Sequence, residues 1–313
     1  MPLYQVPIMV NGGEHPAELF RAMVQDLARG AEGITQGTDL KVTQLGTPGA
    51  GVQVASGSGV VRGRADAFQG SYSVRNQGSA TVDIASTGGS PRSDMLILRV
   101  EDPQYEGDLD PAPDGDDINF FQIISNVSSS ATTIPDGRTG IPLARIDIPA
   151  STATITNAMI VDIRKVANPR TERHLLTQSP TELSTEITGS TGTYSYFTSA
   201  AGWTIAVPTW ASTVRIVLTC SQLRYSTAAF FGRLRATFGA SLTIQPVNLD
   251  DNQTTVRRGT VAVADTLTIP DAYRGTSQIL RLQAAGFTGN TGKVGIDGST
   301  SLIADVQFSE APR

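Results

Sequence analysis

Hydrophobic positions divide the chain into one short helical stretch and a long series of strands. Over residues 16–29, Leu19, Phe20, Met23, Val24 and Leu27 recur at spacings of three and four. That period marks an amphipathic helix of about four turns. Pro16 suits the first helical position and Gly30 is placed to stop the helix. Glu18 and the polar residues between Arg21 and Arg29 are expected on the opposite, solvated face. The apolar stripe then needs a cover, either the domain's own sheet or a neighbouring subunit.

From residue 40 the period changes to two. Segments 41–45, 51–55, 59–62, 71–74 and 81–85 alternate and are separated by Gly, Pro and Ser. Gly57-Ser58-Gly59 reads as a hairpin turn between two of them. Residues 95–100 form a nearly continuous apolar run and are expected to be a central strand. Segments 120–124, 143–148, 152–156 and 160–166 follow. Together they predict an N-terminal α+β domain over residues 1–168, with one amphipathic helix and antiparallel sheet. Asn168-Pro169-Arg170 marks a boundary. Residues 169–193 are polar, with His174, Leu175, Leu176 and Leu183 as sparse anchors, and read as a linker.

Residues 194–313 carry strand candidates at 194–198, 203–207, 213–221, 230–238, 242–247, 254–264, 277–284, 293–296 and 300–308. Their spacing of about 8–14 residues predicts a C-terminal β-sandwich or jelly-roll domain. In the last candidate, Leu302, Ala304, Val306 and Phe308 fall on one face. The expected fold class is mostly β. No repeat of solenoid or propeller period is present.

Composition narrows the function classes. Gly (31) and Pro (17) supply turns for many short connections. A net charge of −5 with no basic run argues against nucleic-acid binding through phosphates. Only three lysines, Lys41, Lys165 and Lys293, stand against 21 arginines, a bias that a GC-rich genome explains. Cys220 is the single cysteine, so no intrachain disulfide is expected, and its apolar surroundings predict a buried small hydrophobe. Nothing resembles a signal peptide and no apolar run approaches membrane-spanning length, so synthesis in a cytoplasm without membrane insertion is expected.

Candidate chemistry is sparse. His15 reads as a helix-entry residue and His174 as an exposed or interface residue. No G-x-S-x-G, H-E-x-x-H or Walker loop occurs, and no enzyme activity is expected. The densest ionisable cluster is the acidic stretch from Glu101 to Asp117. It reads as a solvated loop, with Asp108, Asp110, Asp114 and Asp116 as calcium candidates. The EF-hand spacing fails there, because Ala112 and Phe121 fall on ligand positions. A paired-carboxylate glycosidase site needs a fixed separation that one loop does not supply. Aromatic residues bunch at Tyr194, Tyr196, Phe197, Trp203 and Trp210, followed by Tyr225, Phe230 and Phe231. Phe197 and Trp203 read as sandwich core. Trp210, in a loop after Pro208, and Tyr225 are candidate glycan contacts. Arg233 and Arg235 share a strand face that reads as solvated or intersubunit.

Residues 90–102 (SPRSDMLILRVED) and 140–164 (GIPLARIDIPASTATITNAMIVDIR) resemble segments that recur in bacteriophage tail and baseplate proteins, especially those of actinobacteriophages. Residues 9–17 (MVNGGEHPA) are similar to the opening of the same proteins. The resemblance covers about residues 1–170 and extends to the rest only as a general type. It implies a structural tail-tip or baseplate protein, with a virion-attachment first domain and a distal sandwich, commonly trimeric. The implied partners are further copies of the chain as a homotrimer, other phage tail or baseplate proteins, and a host cell-surface glycan bound through avidity. The implied location is the virion, after assembly in the host cytoplasm. The alternative is a purely structural minor tail protein without receptor contact. No cofactor is implied.

Overall fold

The computed structural model describes residues 8–112, 115–183, 185–197 and 201–313. The protein is mostly β, with one α-helix among the described residues. Two compact units are present: Met1–Pro169 together with Ala311–Arg313, and Arg170–Glu310.

In the first unit the central strand is Arg92–Val100, paired antiparallel with Gly140–Ile148 on one side and Asn119–Ile124 on the other. Ile160–Asp162 extends this sheet beyond Gly140–Ile148. Both faces of the central strand are covered, which explains its continuous apolar run. Leu96, Leu98 and Val100 join one core with Val52, Val54, Leu143 and Ile146. Met95 and Ile97 join a second with Ile163, flanked by Ile124 and Ile134. Pro142 has no amide proton to donate, and the ladder shifts register where it enters, between Leu96 and Ile97. Two three-stranded sheets complete the unit. One holds Gly33–Ile34, Gly57–Arg62 and Ser71–Asn76; the other holds Val42–Gln44, Gly51–Val54 and Ala80–Asp83.

The structure departs from the periodicity of the sequence at three places. Gly57-Ser58-Gly59 is not a hairpin turn. Gly57 and Ser58 already belong to a strand, and the chain changes sheet just before them. Gly57, at φ 151°, passes Asp39 so closely that a Cβ would lie 2.6 Å from its Cα. Residues 152–156 form no strand: Ile155 is anchored in the core and by its N–H to the Gly49 carbonyl at 2.8 Å. One buried side chain between threonines imitated alternation. The third lies at the C-terminal residues, expected with the sandwich. Ala311–Arg313 return to the first unit, where the Arg313 N–H donates to the Gly37 carbonyl at 2.8 Å and Arg164 Nη2 donates to the Arg313 carbonyl at 3.2 Å.

The second unit is a β-sandwich of two antiparallel sheets. One sheet runs in the order Thr171–Gln178, Ser301–Ser309, Thr213–Ser226 and Arg257–Thr268, with Lys293–Gly295 also on Thr213–Ser226. The other is built on Ser277–Gly286 and Phe230–Phe238. Ser195–Tyr196, Gly202–Ala206, Leu242–Thr243 and Val247–Asp251 are its outer strands. Val214, Ile216 and Leu218 from the first sheet meet Leu234, Phe238, Leu280 and Leu282 from the second in one core. Leu302, Ala304, Val306 and Phe308 are all fully buried in it. Residues 169–193 are not a linker throughout. Thr171–Gln178 pairs with Ser301–Ser309 along its whole length, and Arg173 grips Asp305 through two hydrogen bonds of 2.7 and 2.9 Å. An edge strand needs only its backbone for the ladder, so its side chains can stay polar.

Candidate functional site

The helix is Ala17–Leu27, ended by Gly30, whose N–H donates to the Gln25 carbonyl at 2.8 Å. Its roll about its own axis differs from the expectation. Arg21, expected on the solvated face, is its one buried residue. Arg21 Nε donates to the Gln69 carbonyl at 2.8 Å, and Nη2 donates to Gln104 Oε1 at 3.0 Å and the Tyr105 hydroxyl at 3.1 Å. Nη1 stands 3.3 Å from Asp102 Oδ2, and the guanidinium lies 5.5 and 5.3 Å from the ring centres of Tyr72 and Tyr105. The Tyr72 hydroxyl donates to Asp102 at 2.7 Å and accepts from Gln69 Nε2 at 3.0 Å. Burial first, and then the Asp102 hydrogen bond, hold the Tyr72 hydroxyl well above its usual ionisation range. Gly70 lets the helix approach, since a Cβ there would sit 2.7 Å from the Arg21 backbone. With Arg21 turned in, Phe20 is 44% exposed and Leu27 73% exposed, while Met23 and Val24 are half-buried. Met9, Val10 and Phe68 are also exposed.

The acidic stretch splits by role. Asp102 and Glu106 belong to the interior network: Arg99 Nη2 donates to Glu106 Oε2 and the Thr139 hydroxyl to its Oε1, both at 2.5 Å. Of the calcium candidates, Asp108, Asp110 and Asp116 are exposed, and Asp114 lies outside the described residues. Asp110 Oδ1 accepts the Ala112 N–H, and Asp116 Oδ2 accepts the Asp110 N–H at 2.9 Å. These contacts shape the loop. Among the described residues no three His, Cys, Asp or Glu side chains converge to hold a metal ion.

Cys220 is buried in the sandwich core, and burial pushes its thiol up to about 12. It therefore carries no thiolate at neutral pH. His174 Nε2 lies 2.9 Å from Glu172, and His15 packs edge-on to Phe20. No helix among the described residues is long and apolar enough to cross a membrane.

The two candidate glycan contacts have different fates. Tyr225 is only 6% exposed and packs in the core against Phe230, so its ring is not presented to a ligand. Burial pushes its hydroxyl up to about 12. A strand that alternates around a bulge near Gln222 turns this residue inward. Trp210 is half-buried against the core, with Arg170 5.4 Å from its ring centre, and Arg170 is itself bound to Glu310 at 2.7 and 2.9 Å. Phe197 is core, as expected, and Trp203 packs against it partly buried.

The outward face of the sheet built on Phe230–Phe238 gathers residues that the sequence left scattered. Arg233 and Arg235 point out from one strand and Arg281 from its neighbour, where Arg235 pairs with Gln283 and Thr237 with Arg281. The Arg235 guanidinium lies 3.6 Å from the Tyr194 ring centre, Arg281 4.2 Å from Tyr196, and Arg233 5.1 Å from Phe287. Phe231 meets Phe287 edge-on at the same end.

The molecule is thus a mostly β protein with a helix-bearing unit and a sandwich, whose distinctive side chains lie on faces rather than in a cleft. The sequence matches no protein-family model and no curated protein. Among solved structures it is similar to that of infectious bursal disease virus Gx strain, at 12% identity and a TM-score of 0.23, over 91% of this chain and 76% of that one. It is similar to the infectious bursal disease virus VP2 subviral particle at 13% identity and a TM-score of 0.23, over 90% and 79%. A Bacillus thuringiensis Cry1Da tryptic core variant gives 10% identity and a TM-score of 0.15, over 98% and 57%.

Proposed function

We propose that the chain is a structural protein of a phage tail tip or baseplate, which oligomerises on the virion and presents its β-sandwich for host-surface attachment. The sequence resemblance over residues 1–170 supplies the class. The roll of the helix supports the assembly step. Phe20, Met23, Val24 and Leu27 keep a three-and-four spacing on a helix whose inner face is already satisfied by Arg21. Such a stripe meets its equivalents in other copies around a symmetry axis. Three copies are the number that the resemblance implies. Light scattering of the purified protein tests this reading: the expected mass is three times 33.0 kDa. Leu27→Glu should reduce it to that of one chain without loss of strand content. A wild-type monomer at every concentration would remove the proposed assembly step.

A further inference from the structure

We infer that the outward face of the sheet built on Phe230–Phe238 and Ser277–Gly286 binds a glycan bearing oxyanions, carboxylates or phosphodiesters, through Arg233, Arg235 and Arg281. This deepens the host-attachment reading and rests on it only for the biological source of the ligand.

The chain spends most of its arginines on carboxylates. In the sandwich unit Arg170, Arg173, Arg224, Arg257, Arg258 and Arg274 each sit within ion-pair distance of one. Arg233, Arg235 and Arg281 have no carboxylate partner among the described residues. Their protein contacts orient them and leave charge unmatched. Arg233 Nε donates to Asn248 Oδ1 at 2.9 Å, Arg235 Nε to Gln283 Oε1 at 2.8 Å, and Arg281 Nη2 to the Phe197 carbonyl at 3.0 Å. One carboxylate, Asp250, stands on the same sheet opposite Phe231, at the edge of the patch. A three-cation patch on a chain of net charge −5 is a local reversal of sign.

Stacking on Tyr194, Tyr196 and Phe287 restrains the rotamers, so less side-chain freedom is lost when an anion binds. A guanidinium matches a carboxylate or phosphate with paired N–H donors. Residues two apart on a strand repeat at about 7 Å, and diagonal cross-strand neighbours at about 7–8 Å. The face therefore offers a row of charges to a polymer carrying regularly spaced anions. Each exposed contact is weak and several must act together. The face suits a single-stranded nucleic acid less well. Base stacking needs open aromatic faces, and those of Tyr194 and Tyr196 already carry guanidinium groups.

The test uses the full chain on immobilised polygalacturonate (carboxylates), poly(glycerol phosphate) (phosphodiesters), dextran (neutral) and a single-stranded oligonucleotide, with binding read by interferometry at low and high salt. The expected result is binding to one or both acidic polymers, weakened by salt, with dextran and the oligonucleotide unbound. Which acidic polymer binds identifies the anion. Arg235→Ala and Arg281→Ala should each weaken binding about tenfold or more, with the melting temperature lowered by no more than a few degrees. Arg235→Lys should restore only part. No binding to either acidic polymer, undiminished binding by both alanine variants, or equal binding of dextran or the oligonucleotide would overturn the inference. Solution mass measured on the same samples separates this failure from failure of the assembly reading.

Discussion

Two arginine–aromatic clusters, one in each unit, use the same chemistry to opposite ends. In the first unit Arg21 lies between Tyr72 and Tyr105, and Asp102, Gln69 and Gln104 consume its charge and donors. In the second unit Arg233, Arg235 and Arg281 lie against Phe287, Tyr194 and Tyr196, with amide and carbonyl oxygens as acceptors and no carboxylate partner among the described residues. A carboxylate in the cluster makes a pin that fixes a helix. Its absence makes a patch that keeps affinity for an external anion. The first arrangement also carries a consequence for its element, since turning Arg21 inward turns Phe20 and Leu27 outward.

Breaking the pin should have the largest effect. Arg21→Ala leaves the partly buried Asp102 without its cation and Gln69, Gln104 and Tyr105 without their donor, and should cost about 2–4 kcal/mol, read by denaturant unfolding of the full chain. Tyr72→Phe removes one hydroxyl that joins Asp102 to Gln69 and should cost about 1–3 kcal/mol. The same measurement on Arg235→Ala should show no more than about 1 kcal/mol. Equal costs at Arg21 and Arg235 would erase the distinction between the two clusters.

Acid titration sharpens the contrast. The hydrogen bonds from Arg258 hold the Asp297 carboxyl below the usual carboxylate range, against a smaller opposing effect of burial. A folded value below the unfolded one gives stability that is present in full above about pH 4. That stability is lost as pH falls through the folded value. Asp297→Asn should remove this part of the acid transition. Anion binding by the open arginine patch depends on no protein carboxylate, so it should persist until the ligand's own acids protonate. The smallest effect belongs to Leu27→Ser, which should change the stability of a single chain by less than about 0.5 kcal/mol.

Much of the fold was legible in hydrophobic periodicity. Residues 230–238 appear as the expected strand, and the alternation from Leu302 to Phe308 is core on one side. The edge strand Thr171–Gln178 was not legible, because its ladder is backbone and its outward side chains are polar. The roll of the helix was hidden for a related reason. Periodicity locates an apolar stripe but does not say which side faces the protein, and here a network 48 to 84 residues away in sequence decides it. Arg233 and Arg235 were visible on one face. Their partners Arg281, Gln283 and Phe287 were not, since strand pairing brings the first two there and a backbone hydrogen bond from the Phe287 N–H to the Phe231 carbonyl brings the third. Tyr225 faces the core because its strand continues to Ser226, past the end of the candidate strand at residues 213–221.

The role given to the helix is tested most directly by cross-linking. Cys220 is buried, so Leu27→Cys places one reactive thiol on the outward stripe, and Val256→Cys places one at an exposed position of the other unit as a control. Mild oxidation should join Leu27→Cys chains into disulfide-linked pairs at low protein concentration and leave Val256→Cys chains single. Equal cross-linking of the two variants, or none at position 27, would contradict assembly through this helix.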